Sequence, residues 1–190
     1  IVLPYGNPVK LMDQPADFVM DLFSNDLIND LMPYVEANYL TINDAEHRAI
    51  GGFSRGGNQA LSNGLMNLDK FSYLCSYSSF TSTQLPYVYD HAKETNSKIN
   101  LFWLGIGTDD LLYKTSHDYI EFLRKKGINH MLEFTKGKFG HTWMNAKYFL
   151  AQTMPLLFNK EKATAAMSDG GMPLPELKGD EEEFNPLVMM

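Results

Sequence analysis

Residues 47–57 read His47-Arg48-Ala49-Ile50-Gly51-Gly52-Phe53-Ser54-Arg55-Gly56-Gly57, and this stretch decides the fold. His47–Phe53 predicts a strand, and the residues from Arg55 to about Asn67 predict a helix. Between them lies Gly52-Phe53-Ser54-Arg55-Gly56, a G-x-S-x-G pattern. A serine there sits on a tight strand-to-helix turn, small neighbours let the two elements approach, and the hydroxyl projects above the sheet. The pattern alone arises by chance in roughly one chain in fifteen of this length. Its strand and helix flanks are what turn it into a candidate nucleophile. The Arg55 backbone N–H, at the start of the helix, then points toward the place where an oxyanion would develop.

Outward from this core, Ile1–Tyr5 predicts a short buried strand ended by the turn residues Gly6, Asn7 and Pro8. Between Asp17 and Asn38, the apolar residues Phe18, Leu22, Leu27, Leu31 and Val35 recur near helical spacing, with a break expected near Pro33. Phe71–Tyr77, Ile99–Ile106 and Asn129–Lys136 predict further strands. Helices are expected at Val88–Thr95, Tyr113–Lys126 and Thr142–Phe158, with Gly127 as a stop signal after the second. Strands alternating with helices of this length imply βαβ units and a mostly parallel sheet, the α/β class. After Phe158 the breakers Gly170, Gly171, Pro173 and Pro175 precede the acidic run Asp180–Glu183. The expected organisation is one domain over 1–159 and a disordered acidic tail over 160–190.

Bulk properties remove several function classes. The formal charge of −7 argues against a nucleic-acid partner, which calls for a basic face. No apolar run reaches membrane-spanning length. The single cysteine, Cys75, excludes an internal disulfide and reads as a small buried hydrophobe. The histidines lack zinc-site spacing, and Gly105-Ile106-Gly107 lacks the full dinucleotide fingerprint, so neither a metal nor another cofactor is expected.

A serine hydroxyl needs a base, and the base needs an orienting acid. The strand Ile99–Ile106 runs directly into Gly107-Thr108-Asp109-Asp110, which places two carboxylates at a strand's carboxyl end. Position alone does not choose between Asp109 and Asp110. After the strand Asn129–Lys136 comes Gly137-Lys138-Phe139-Gly140-His141, a histidine on a glycine-flanked loop just before a helix. His47, His91, His117 and His130 lie on or beside strands and helices, where surface or packing roles are expected. Position alone also nominates Trp143 and the Ser78–Pro86 loop, Ser79 included, as substrate-binding candidates. Core packing is the competing expectation for Trp143.

Four segments carry a family resemblance: the stretch 47–57, Asn67-Leu68-Asp69-Lys70-Phe71, Gly107-Thr108-Asp109-Asp110 and Gly140-His141-Thr142-Trp143-Met144-Asn145. Together they resemble carbohydrate esterase family 1, the feruloyl and acetylxylan esterases, and the related esterase D and enterochelin esterases. The resemblance runs from about Ile1 to Phe158 and implies an α/β-hydrolase fold. It also implies Ser54 as nucleophile, His141 as base and Asp110 as the acid. The sequence departs from the family in having Arg55 where Met is common. Relative to the family it lacks the early strands and the His-Gly loop that supplies a second oxyanion donor. The implied substrates are small esters or feruloylated and acetylated xylo-oligosaccharides, in a secreted or periplasmic setting. Siderophore or small-thioester hydrolysis is the alternative chemistry, and a silent binding domain is the alternative of another class.

Overall fold

The computed structural model describes residues 1–6, 22–136, 139–168 and 173. They fall into two compact units, one within Ile1–Asn43 and one within Asp44–Glu182.

In the first unit, residues 22–25 are helical, a π-helical turn covers Asp26–Leu31, and helix α1 spans Met32–Asn38. The break expected near Pro33 takes this form. Proline has no N–H to give the preceding turn, so it is accommodated in the first turn of α1, and the turn before it widens. Residues 17–21 of the expected helix lie outside the described residues. Ile1–Tyr5 forms no strand, and Ile1, Leu3 and Tyr5 are exposed. An apolar run satisfies a strand pattern, but a strand exists only where a neighbour completes its ladder.

The second unit is built on four parallel strands in sequential order: β1 Ala49–Phe53, β2 Tyr73–Tyr77, β3 Leu101–Gly107 and β4 Met131–Thr135. All the pairings are parallel, with Ile50 opposite Leu74, Leu74 opposite Phe102, and Leu104 opposite Leu132. β2 and β3 are buried throughout, as their near-continuous apolar sequences require in a sheet covered on both faces.

Helices cover both faces. Helix α2, Arg55–Met66, lies over Ile50 and Leu74 at Gly64, where an added Cβ would come within 2.3 Å of Leu74. Helix α5, Tyr113–Lys126, lies on the same face, with the Tyr113 ring 6.1 Å from that of Phe134. The opposite face carries Tyr73, Cys75, Tyr77, Leu101 and Trp103, packed with Phe149 and Ala163. Phe149 belongs to helix α6, Trp143–Thr153, and Ala163 to helix α7, Lys160–Ser168. Burial pushes the Cys75 thiol pKa up to about 12, in keeping with its expected role as a small hydrophobe.

Three expectations are corrected. Val88–Thr95 is two short helices, α3 at Pro86–Tyr89 and α4 at Ala92–Lys98, separated at Asp90 and His91. The helix expected to run to Phe158 ends at Thr153 and passes into a 3₁₀ turn at Met154–Leu156 that contains Pro155. The unstructured tail does not begin at 160: Lys160–Ser168 is helical, Ala163 is fully buried, and Met167 Sδ lies 3.3 Å from the Phe102 backbone N–H. Alanines and a methionine supplied the apolar contact that the breaker-rich composition farther on obscured. Residues 174–190 lie outside the described residues. Among the described residues no helix is long and apolar enough to cross a membrane.

Strand β1 and helix α2 approach each other closely at the backbone. A Cβ on Gly52 would come within 2.3 Å of the Gly56 backbone, and one on Gly57 within 2.7 Å of the Ser79 Cβ. Gly56, by contrast, faces open space. Gly52→Ala should therefore destabilise the protein by about 1–3 kcal/mol or more. Gly56→Ala should change stability by less than about 1 kcal/mol, in the stabilising direction, because alanine is the better helix former. Denaturant unfolding of the two variants beside the parent checks this, and equal losses would show that both glycines are packed.

Candidate active site

The close approach of β1 and α2 forces the residue between them into an unusual conformation. Ser54 has φ 56° and ψ −123°, a region that side chains other than glycine rarely occupy. Its backbone is tied down on both sides: Ser54 N–H donates to the Tyr77 carbonyl at 3.0 Å, and the Ser54 carbonyl accepts from Asn58 N–H at 3.0 Å. The hydroxyl is thus held at the carboxyl end of the sheet. Arg55 is the first residue of α2, so its amide belongs to the turn whose N–H groups point out of the helix's N-terminal end.

Three of the sequence-predicted residues meet there. His141 Nε2 lies 2.8 Å from Ser54 Oγ. On its far side, His141 Nδ1 lies 3.0 Å and 3.1 Å from the two Asp110 carboxylate oxygens. With the Nδ1 proton donated to the carboxylate, Nε2 is the acceptor for the serine O–H. The Asp110 side chain is fully buried, while that of His141 keeps one-fifth of its surface open. The Leu112 N–H donates to Asp110 Oδ1 at 2.8 Å, which fixes the carboxylate's rotation. Asp109, the alternative that position alone left open, is exposed, and its carboxylate is the acceptor of a 3.5 Å contact from Thr108 Oγ1. Asp110, buried, is thus the carboxylate that meets the imidazole, while Asp109 is exposed.

The other histidines stand apart from this cluster. His47 is exposed and paired with Asp44 at 2.7 Å, and His91 precedes the short helix α4 without a side-chain capping bond to it. His117 lies on α5. His130 is buried, with its Nδ1–H donating to the Ile128 carbonyl at 2.8 Å, and burial holds its pKa below the ordinary histidine value.

A supporting shell fixes the His141 loop, and sequence reasoning assigned it no role. Fully buried Asn145, on α6, donates through Nδ2 to the Gly140 carbonyl at 2.9 Å and accepts from Thr135 Oγ1 at 2.7 Å. Gly140 takes φ 45°, a left-handed turn that glycine allows without strain. Gly107 leaves the room for this arrangement, since a Cβ there would come within 2.5 Å of Asn145 Nδ2. Gly-His-Thr-Trp-Met-Asn was visible as a motif, but the work of its last residue depends on a strand ten residues away.

The two substrate-binding candidates part company. Ser79 is buried at 8% exposure, its hydroxyl donating to the Phe80 carbonyl at 3.3 Å, so it braces its own loop rather than facing an open surface. Trp143 is 70% exposed, which overturns the core-packing expectation for it. It opens α6, and its ring lies 5.1 Å from that of Phe53.

The Esterase family model matches residues 1–151. The chain belongs to that family. Solved structures share the fold of this Esterase-family chain at low identity. A CE1 ferulic acid esterase from Anaeromyces mucronatus, solved with ferulic acid, matches at 23% identity and TM-score 0.63 over 76% of this chain and 57% of its own. An S-formylglutathione hydrolase from Staphylococcus aureus matches at 17% identity and TM-score 0.55, over 74% of this chain and 66% of its own. A fluorophosphonate-binding serine hydrolase from the same organism matches at 18% identity and TM-score 0.55, over 70% and 63%. The Esterase-family chain thus spans about three-fifths of the length of these structures. The architecture is the α/β-hydrolase fold that the sequence reading expected.

Asn145→Ala should leave both the Gly140 carbonyl and the Thr135 hydroxyl short of a partner. The expected cost is roughly 1–3 kcal/mol of stability. Denaturant unfolding measures it, and an unchanged midpoint would show that the His141 loop does not depend on this amide.

Proposed function

We propose that this protein is a serine carboxylic ester hydrolase working through an acyl-enzyme. The observation that carries the reading is the unbroken relay Ser54 Oγ, His141 and Asp110, with 2.8 Å at the serine and 3.0 Å at the carboxylate. In the proposed mechanism Ser54 Oγ attacks the ester carbonyl while His141 Nε2 takes its proton. The Arg55 amide stabilises the oxyanion of the tetrahedral intermediate. His141 then returns the proton to the departing alcohol, leaving an ester on Ser54. Water, deprotonated by the same imidazole, releases the acid. Buried Asp110 holds the imidazole in the required tautomer and stabilises its cation.

The preferred substrates in this reading are feruloyl or acetyl esters of plant cell-wall xylan. Membership of the Esterase family and the shared fold with a ferulic acid esterase support that choice. The shared fold with an S-formylglutathione hydrolase makes a small thioester the comparison to include.

Methyl ferulate, 4-nitrophenyl acetate and S-formylglutathione should be offered to the protein and to its Ser54→Ala and Asp110→Asn variants. Ferulate should be released by the parent, and Ser54→Ala should lower the rate by on the order of 10⁶-fold. Asp110→Asn should lower it by on the order of 10⁴-fold, through the wrong imidazole tautomer, while leaving the fold intact. Hydrolysis that survives Ser54→Ala would end the mechanism, and preference for the thioester would replace the substrate class.

A further inference from the structure

Fully buried Asn145, in the first turn of α6, meets the roots of both loops that bring His141 and Asp110 together. On the base side its Nδ2 donates to the carbonyl of Gly140, the residue before His141, at 2.9 Å. A carbonyl can only accept, so Gly140 fixes which end of the amide faces it. The other end, Oδ1, accepts at 2.7 Å from the hydroxyl of Thr135, the last residue of β4. On the acid side the amide lies against Gly107, where an added Cβ would come within 2.5 Å of Nδ2 and 3.1 Å of Thr135 Oγ1. The Gly107 carbonyl accepts from the Asp110 N–H at 3.0 Å and so begins the turn that presents the carboxylate. One side chain therefore spans the ends of β3 and β4 from which the acid and base loops depart.

We infer that Asn145 is a positioning residue whose amide sets the separation of Asp110 and His141, holding the base loop by a hydrogen bond and the acid loop by contact at Gly107. The inference rests on the ester-hydrolase reading and deepens it. The imidazole Nδ1 lies 3.0 Å and 3.1 Å from the two carboxylate oxygens, so the ring is set against both at once. Hydrogen bonds weaken steeply with misalignment, and a misplacement of about 1 Å can cost on the order of 10²-fold in rate. The amide is a rigid spacer because it is buried with both ends paired. Turning it would leave a polar group without a partner. Its hydrogen-bond partners are Gly140 and Thr135 rather than the reacting atoms, so its loss should act on the chemical step and not on substrate binding.

Steady-state hydrolysis of 4-nitrophenyl acetate is measured for the parent, Asn145→Ala, Thr135→Val and Thr135→Ser, each well below its unfolding midpoint. Asp110→Asn is measured with and without Asn145→Ala. Asn145→Ala should lower kcat by on the order of 10²-fold and leave KM within about twofold. Thr135→Val keeps the shape but gives Oδ1 no proton, and should lower kcat by roughly tenfold. Thr135→Ser should recover most of that loss, and this pair decides alone if Asn145→Ala fails to fold. In Asp110→Asn the imidazole is already misdirected, so adding Asn145→Ala should cost at most about threefold more. An unchanged kcat, a loss carried by KM, the same fall with and without the Asp110 carboxylate, or Thr135→Ser as slow as Thr135→Val would each overturn the inference. Ser54-dependent hydrolysis by the parent would in those cases keep the esterase reading. Absent hydrolysis by the parent, or hydrolysis that survives Ser54→Ala, would overturn both.

Discussion

The structure depends on one close approach, that of strand β1 to helix α2 across Gly52. With the Gly56 backbone occupying the space a Gly52 Cβ would need, the chain has no room for an ordinary turn. Ser54 absorbs the reversal in a left-handed conformation, at φ 56°. Strain of this kind costs of order 1–3 kcal/mol and persists only where the surroundings over-determine it. Here the surroundings are the Tyr77 carbonyl bonded to Ser54 N–H and the helix hydrogen bond from Asn58. The result is a hydroxyl held at the sheet's carboxyl end with little freedom to turn away.

The parallel sheet brings the remaining groups to the same place. Because β1, β3 and β4 run in one direction, the segments that follow them all emerge at one edge. Ser54, Asp110 and His141, far apart in sequence, thus become neighbours. The ladder continues one step past the strands, with Ser78 N–H on the Gly105 carbonyl at 2.7 Å and Thr108 N–H on the Thr135 carbonyl at 2.9 Å. These bonds make the loops an extension of the sheet. Asn145 completes the frame from α6 by bonding both the end of β4 and the turn that presents His141.

Much of this was legible in the sequence because it rests on local chemistry. Apolar runs marked all four strands of the sheet, Gly127 marked the end of α5 by taking φ 70°, and the glycines around Ser54 marked the elbow. Where the reading failed, the deciding partner was remote in sequence. Ile1–Tyr5 has a strand's composition but no ladder, and Lys160–Ser168 has little periodicity but a buried Ala163 against the sheet. Asp109 and Asp110 are the same residue type at adjacent positions, and only the fold turns one carboxylate inward. Trp143 shows the reverse error. Its apolar bulk suggested the core, but as the first residue of α6 it lies outside the sheet-facing stripe that buries Phe149.

By itself, then, the sequence determined the α/β class, the positions of the sheet's four strands along the chain and the identity of the serine and histidine that come together. Each of these follows from residue type and short-range spacing. The tertiary structure decided which aspartate faces the imidazole, how Asn145 holds the loop, that Ser79 is closed off and that Trp143 is open. Those outcomes are set by packing between elements many residues apart, and local propensity carries no information about such distances.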